Sequence, residues 1–183
     1  LASCNDDEPE VINEEEEFSR VTVKVTNEND ATDEQTYTFE VEGHDHDHAG
    51  VTVSSEGSHE EHTHIELNAN SSYLFEIRFY NDEDPDNIED VTLEVIEEAD
   101  EHLVFYEVIG QANITIETAG PGVDTIDSNS KPVHLVTRWT TADAEEVEVM
   151  AYLIHQPTTK DGNTRDDFGG GTDVEIEFEA HVE

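Results

Sequence analysis

Alternation is the feature that most limits what this chain can fold into. Ser19-Arg-Val-Thr-Val-Lys-Val-Thr26 places Val21, Val23 and Val25 on one parity and Arg20, Thr22 and Lys24 on the other. Successive side chains of an extended strand point to opposite faces, so a period of two makes one apolar face and one polar face. A helix would scatter the same residues around its circumference. Gln35-Thr-Tyr-Thr-Phe-Glu-Val-Glu42 repeats the pattern, and Asn27-Glu-Asn-Asp30 between the two is a turn segment, so a hairpin is expected. Further strands are expected over 50–54, 62–68, 72–80, 103–109, 113–118, 133–140, 146–155 and 172–182.

Turn formers punctuate these runs: Ala119-Gly-Pro-Gly122, Asp161-Gly-Asn163 and Gly169-Gly-Gly171. Val and Ile together number 29 against 7 Leu, and β-branched residues fit a pleated, half-buried surface. One segment departs from period two. Val91, Val95, Ile96 and Ala99 fall at helical spacing after Asp90, a candidate N-cap, so a short helix is expected near 90–101. The expected fold class is therefore mainly all-β: an antiparallel β-sandwich, immunoglobulin-like in outline, with one short helix.

Seven Lys and Arg against 48 Asp and Glu leave a formal charge of −41 on 183 residues. Such a chain is repelled by phosphate backbones and by anionic lipid surfaces, so nucleic-acid binding is excluded and cations and basic partners are the natural ligands. Charge this high also favours disorder, but Val, Ile, Phe and Leu make up 43 of 183 residues, just above the roughly 20% level at which disorder is expected. Those residues are concentrated in the alternating runs, which implies a folded domain with acidic outer faces. No apolar run is long enough to form a membrane-spanning helix. A lone cysteine, Cys4, rules out intramolecular disulfides and thiolate zinc sites.

That cysteine closes Leu1-Ala-Ser-Cys4, which resembles the bacterial lipobox, and Asn5-Asp-Asp-Glu-Pro-Glu10 follows it. The resemblance implies lipidation at Cys4 and anchoring in the bacterial outer membrane. The acidic run after the cysteine is similar to the surface-export signal of Bacteroidota lipoproteins. Residues 1–18 thus read as a lipobox remnant and an acidic disordered tether, and 19–183 as a single β-sandwich domain with a histidine-rich insert at 43–64.

The insert is the least random part of the sequence. Six of the ten histidines lie between 44 and 64. In Gly43-His44-Asp45-His46-Asp47-His48 imidazole alternates with carboxylate, and an extended backbone would present His44, His46 and His48 on one side and Asp45 and Asp47 on the other. His62-Thr63-His64 repeats the spacing, with His59, Glu60 and Glu61 beside it. Neutral imidazole and carboxylate are ligands for borderline divalent ions. The expected metal is Zn²⁺, with Ni²⁺ and Cu²⁺ as competitors. Nearby carboxylates should raise the pKa of these clustered histidines, so binding should weaken below roughly pH 6–6.5. The competing reading is a polar loop with incidental histidines. His102, His134, His155 and His181 stand alone in sequence and read as structural or surface residues.

Other signals are weaker. Asp82-Glu-Asp-Pro-Asp86 and Asp161-Gly-Asn-Thr-Arg-Asp-Asp167 offer oxygens for a casual Ca²⁺ site but lack the pattern of an EF-hand loop. His59-Glu-Glu-His62 is one residue too short for the zinc-protease motif, and neither a Gly-x-Ser-x-Gly elbow nor a phosphate loop occurs, so no enzymatic activity is expected.

Several patches resemble an uncharacterised family of Bacteroidota surface lipoproteins. They are Cys4–Glu10 with Val11-Ile-Asn-Glu-Glu-Glu16, Asn70-Ser-Ser-Tyr73, Ile88-Glu-Asp-Val-Thr92, Ile96-Glu-Glu-Ala-Asp-Glu-His102 with Phe105-Tyr106, and Gly170-Gly-Thr-Asp-Val-Glu-Ile-Glu-Phe178. Members of that family tend to be encoded beside TonB-dependent outer-membrane receptors, which implies a surface partner in nutrient or metal uptake. The family carries an Asp/Gly-rich stretch where this chain has its histidines, a departure toward transition-metal chemistry. The expectation is a lipid-anchored surface protein that binds a divalent metal and passes it to a receptor. The alternative is a structural, adhesin-like or assembly subunit of the cell surface.

Overall fold

The structure, a computed structural model, describes residues 17–41 and 63–183. Nine strands and two short helices follow in the order β1 (Arg20–Asn27), β2 (Asp30–Glu40), β3 (Thr63–Leu67), β4 (Ser72–Tyr80), α1 (Thr92–Glu97), β5 (His102–Ile109), β6 (Thr115–Thr118), β7 (Val136–Thr140), β8 (Glu145–His155), α2 (Arg165–Phe168) and β9 (Gly171–Val182). They form two sheets, ordered β2-β1-β4-β7-β6 and β3-β9-β8-β5.

Alternation decides which faces meet. Along β9 the even-numbered residues from Val174 to Val182 are buried, and the odd-numbered residues from Glu175 to His181 between them lie on the other face. One continuous core draws Val21, Phe39, Phe75 and Trp139 from the first sheet and Ile65, Tyr106, Val149 and Phe178 from the second. Trp139 stacks on Phe75 at 4.0 Å within its own sheet and reaches across to Phe178 at 6.1 Å and to Tyr106 at 5.3 Å. Each such side chain contributes roughly 1.5–3 kcal/mol when fully buried, and together they hold the two layers as an all-β sandwich.

The expected hairpin forms, with Asn27 Oδ1 accepting the Asn29 amide at 2.9 Å. Three details depart from the reading of the sequence. The β3–β9 pair is parallel, so the second sheet is mixed rather than wholly antiparallel. The helix is shorter than 90–101, and its N-cap is Val91, not Asp90; the Asp90 carboxylate still accepts the Thr92 amide at 3.2 Å. A second helix, α2, occupies what read as a plain loop. Thr164 and Asp167 close a capping box around its first turn, and its Phe168 is buried against Leu103 and Ile154. The strand expected at 50–54 lies outside the described residues.

Candidate metal centre

The expected histidine cluster falls largely beyond the description. His44, Asp45, His46, Asp47, His48, His59, Glu60, Glu61 and His62 lie outside the described residues, and so does Cys4. His64 is the one member described. It sits on β3, exposed, with Nδ1 3.1 Å from Glu179 Oε2 on β9.

Among the described residues, two groups bring three ligand atoms within 4.8 Å of one another: His102, His155 and Asp173, and Glu66, His181 and Glu183. The first lies at the end of the second sheet where β5 begins, β8 ends and β9 begins. His102 and His155 are directly opposite in the β5–β8 register. Their rings stack at 4.9 Å with 13° between planes. A register shift between Leu153 and Ile154 lets β9 place Asp173 beside them. Gly170 makes this approach possible. Its φ is +68°, and a Cβ there would lie 2.3 Å from the His155 carbonyl oxygen, closer than any side chain tolerates.

His102 is fully buried, on the same parity as the core residues Val104 and Tyr106. Its Nδ1 lies 3.2 Å from the Glu98 carbonyl at the end of α1. A carbonyl only accepts, so in the neutral ring Nδ1 carries the hydrogen and Nε2 carries the lone pair. That is the arrangement found in histidine ligands whose second nitrogen is tied to a backbone oxygen. His155 Nδ1 lies 3.8 Å from Asp173 Oδ1, and its Nε2 lies 3.9 Å from Glu101 Oε2. These separations are too long for hydrogen bonds between the carboxylates and the ring. Gln156 holds Glu101 in place through its amide nitrogen, 2.9 Å from Glu101 Oε2. Ligands around a tetrahedral ion bonded at about 2.0–2.2 Å sit roughly 3.4 Å apart. The rings are almost parallel, so an ion would trade their stack for coordination, with Glu101 as a nearby fourth oxygen.

Lys160 Nζ donates to the Ala99 carbonyl, just after α1. Lys160 Nζ lies 3.1 Å from Asp127 Oδ2, both side chains nearly buried. Burial pushes the Asp127 carboxyl up, but the Lys131 amide and the Lys160 ammonium outweigh it and leave it below the ordinary carboxylate range. His134 moves in the direction opposite to that expected for the clustered histidines. Burial lowers its pKa, against the smaller upward pull of Asp124 and of the Val104 carbonyl.

The two acidic loops are otherwise engaged. Asp82 takes hydrogen bonds from Ser19 and, at 2.6 Å, from Arg20 Nε. Asp84 caps the Asp86 amide, Asp161 pairs with Lys131 at 2.7 Å, and Asp167 accepts from the Asn163 and Thr164 amides. Neither described metal-ligand group draws on them.

Both histidines of the first group stand alone in the sequence and read there as structural or surface residues. The one local signal was parity: His102 occupies an apolar-phase position at the start of a strand. The fold and this end-of-sheet group define the chain as a β-sandwich with a His/His/Asp constellation. No family model, curated protein or solved structure matches the chain.

Proposed function

We propose that this protein binds a divalent transition metal, Zn²⁺ foremost, through His102, His155 and Asp173, and that it works as a non-enzymatic protein of a bacterial cell surface. The convergence of three ligand atoms from three strands within 4.8 Å carries this reading. Two nitrogens and one oxygen suit Zn²⁺, with Ni²⁺ and Cu²⁺ as chemical competitors, and leave room for a water or for Glu101. The charge of −41 concentrates cations around the site. Leu1-Ala-Ser-Cys4 supports lipid anchoring at Cys4, and the resemblance to surface lipoproteins supports delivery to a TonB-dependent outer-membrane receptor. The histidine-rich segment from His44 to His64 would then add weaker ligands to the same task.

A second reading rests on the two carboxylates flanking His155. Asp173 and Glu101 suit a histidine with a purely structural place between two strands and a loop, in a surface or assembly subunit with no metal. Thermal unfolding with and without zinc separates the two. A ligand that binds only the folded state stabilises it by about 2.7 kcal/mol at a hundredfold excess over its Kd. The metal reading expects a rise in Tm with zinc that His155→Asn diminishes. No rise in the parent, or an undiminished rise in the variant, would leave His155 to the structural reading.

A further inference from the structure

The second ligand group lies at the opposite end of β9, roughly 26 Å along the strand from Asp173. Here the side chains face solvent rather than the core. In the parallel β3–β9 register His64 stands opposite Glu179, and Glu66 stands opposite His181. Each imidazole therefore faces a carboxylate of the neighbouring strand: His64 Nδ1 lies 3.1 Å from Glu179 Oε2, and His181 Nδ1 lies 3.2 Å from Glu66 Oε2. On its other side β9 pairs with β8, which sets Glu146 opposite His181 and Glu148 opposite Glu179. Two rows thus cross three strands: Glu66–His181–Glu146 and His64–Glu179–Glu148. Glu183 continues the first row's corner, its carboxylate within 4.8 Å of the Glu66 and His181 ligand atoms.

We infer that this outer face of β3 and β9 is a second divalent-metal site, with Glu66, His181 and Glu183 as ligands and the His64–Glu179 pair as an adjoining half-site. An ion here would take the place of a hydrogen on His181 Nδ1, which already lies 3.2 Å from Glu66 Oε2, close to the roughly 3.4 Å between neighbouring ligands of one ion. The imidazoles of His64 and His181 remain 50% and 39% exposed. Among the described residues β3 is the edge of its sheet, with no strand beyond it, so an ion could keep several waters. Three ligands of mixed nitrogen and oxygen character with open positions suit a borderline ion held loosely and exchanged quickly. The inner group, by contrast, includes a fully buried ring. The outer site stands independently of the inner one, since the two share no residue.

The test is residue-specific. Imidazole nitrogen shifts of the full chain are followed by NMR during zinc titration at about pH 7.5, where histidine is mainly neutral. The His181 ring nitrogens are expected to move in fast exchange, with His64 moving alongside. The paired variant Glu66→Gln, Glu183→Gln should weaken the His181 response by about tenfold or more, while leaving the His155 response intact. Both positions are exposed, and unchanged backbone amide spectra check that the variant is folded. A His181 ring that ignores millimolar zinc, or that responds equally in the paired variant, overturns the outer site. Loss of the His155 response alone would instead sink the inner one.

Discussion

The two ends of β9 gather the same two kinds of ligand atom, imidazole nitrogen and carboxylate oxygen, in opposite surroundings. At the Asp173 end the ligands come from β5, β8 and β9, one imidazole is fully buried, and a backbone carbonyl sets its tautomer. At the His181 end they come from β3 and the close of β9, in the open, and carboxylates of neighbouring strands hold the imidazoles. Desolvation accounts for the difference. A buried polar ring must be held by a fixed partner or it destabilises the fold, so His102 is tied to the Glu98 carbonyl as a condition of folding. The outer group faces no such demand, and its geometry rests on pairs that water and salt screen.

The largest expected effect contrasts one histidine from each end. His102→Ala should destabilise the fold by about 2–4 kcal/mol, the cost of a cavity in a packed interior, whereas His181→Ala should stay within about 0.5 kcal/mol. Urea unfolding of the two variants measures both. Equal values would erase the distinction between a built-in and a surface group.

Gly170→Ala comes next. The added Cβ meets the His155 carbonyl at 2.3 Å, and the positive φ disfavours any side chain. A loss of about 2 kcal/mol is expected, together with a smaller zinc-induced rise in Tm. The zinc response of the His181 ring should not change. If it weakened in parallel, the two ends would be coupled rather than independent.

The smallest effect concerns a histidine in neither group. Burial lowers the His134 pKa, so the folded state resists a proton that the unfolded chain accepts. The resulting stability is complete above the unfolded value of roughly 6.5 and is lost as pH falls from there through the folded pKa. Metal-free unfolding from about pH 7.5 downward should show this decline, and His134→Gln should flatten it. Subtracting that baseline isolates the pH dependence of metal release at either end. A variant profile identical to the parent would exclude His134 as its source.

Much of the fold was legible because alternation is a local signal. Val21, Val23 and Val25, or Phe178, Ala180 and Val182, announce their buried face within one strand. α2 was missed because a single buried Phe168 gives no periodicity, although Thr164-Arg-Asp-Asp167 carries a capping pattern that could have marked its start. The candidate sites were less legible. The sequence drew attention to histidines close in number, from His44 to His64, of which only His64 is described. His102 and His155 look incidental until the β5–β8 register sets them face to face.

From its own residues the chain determined that it would be all-β, acidic outside and apolar inside, because strand periodicity and net charge need no knowledge of distant contacts. Only the tertiary structure decided which strands are neighbours. Pairing β3 with β9 in parallel and seating β9 against β8 with a shifted register are long-range events, chosen by how two apolar faces pack rather than by any local run. Metal ligands must converge within a few ångströms, so the sites exist only once that packing has been chosen.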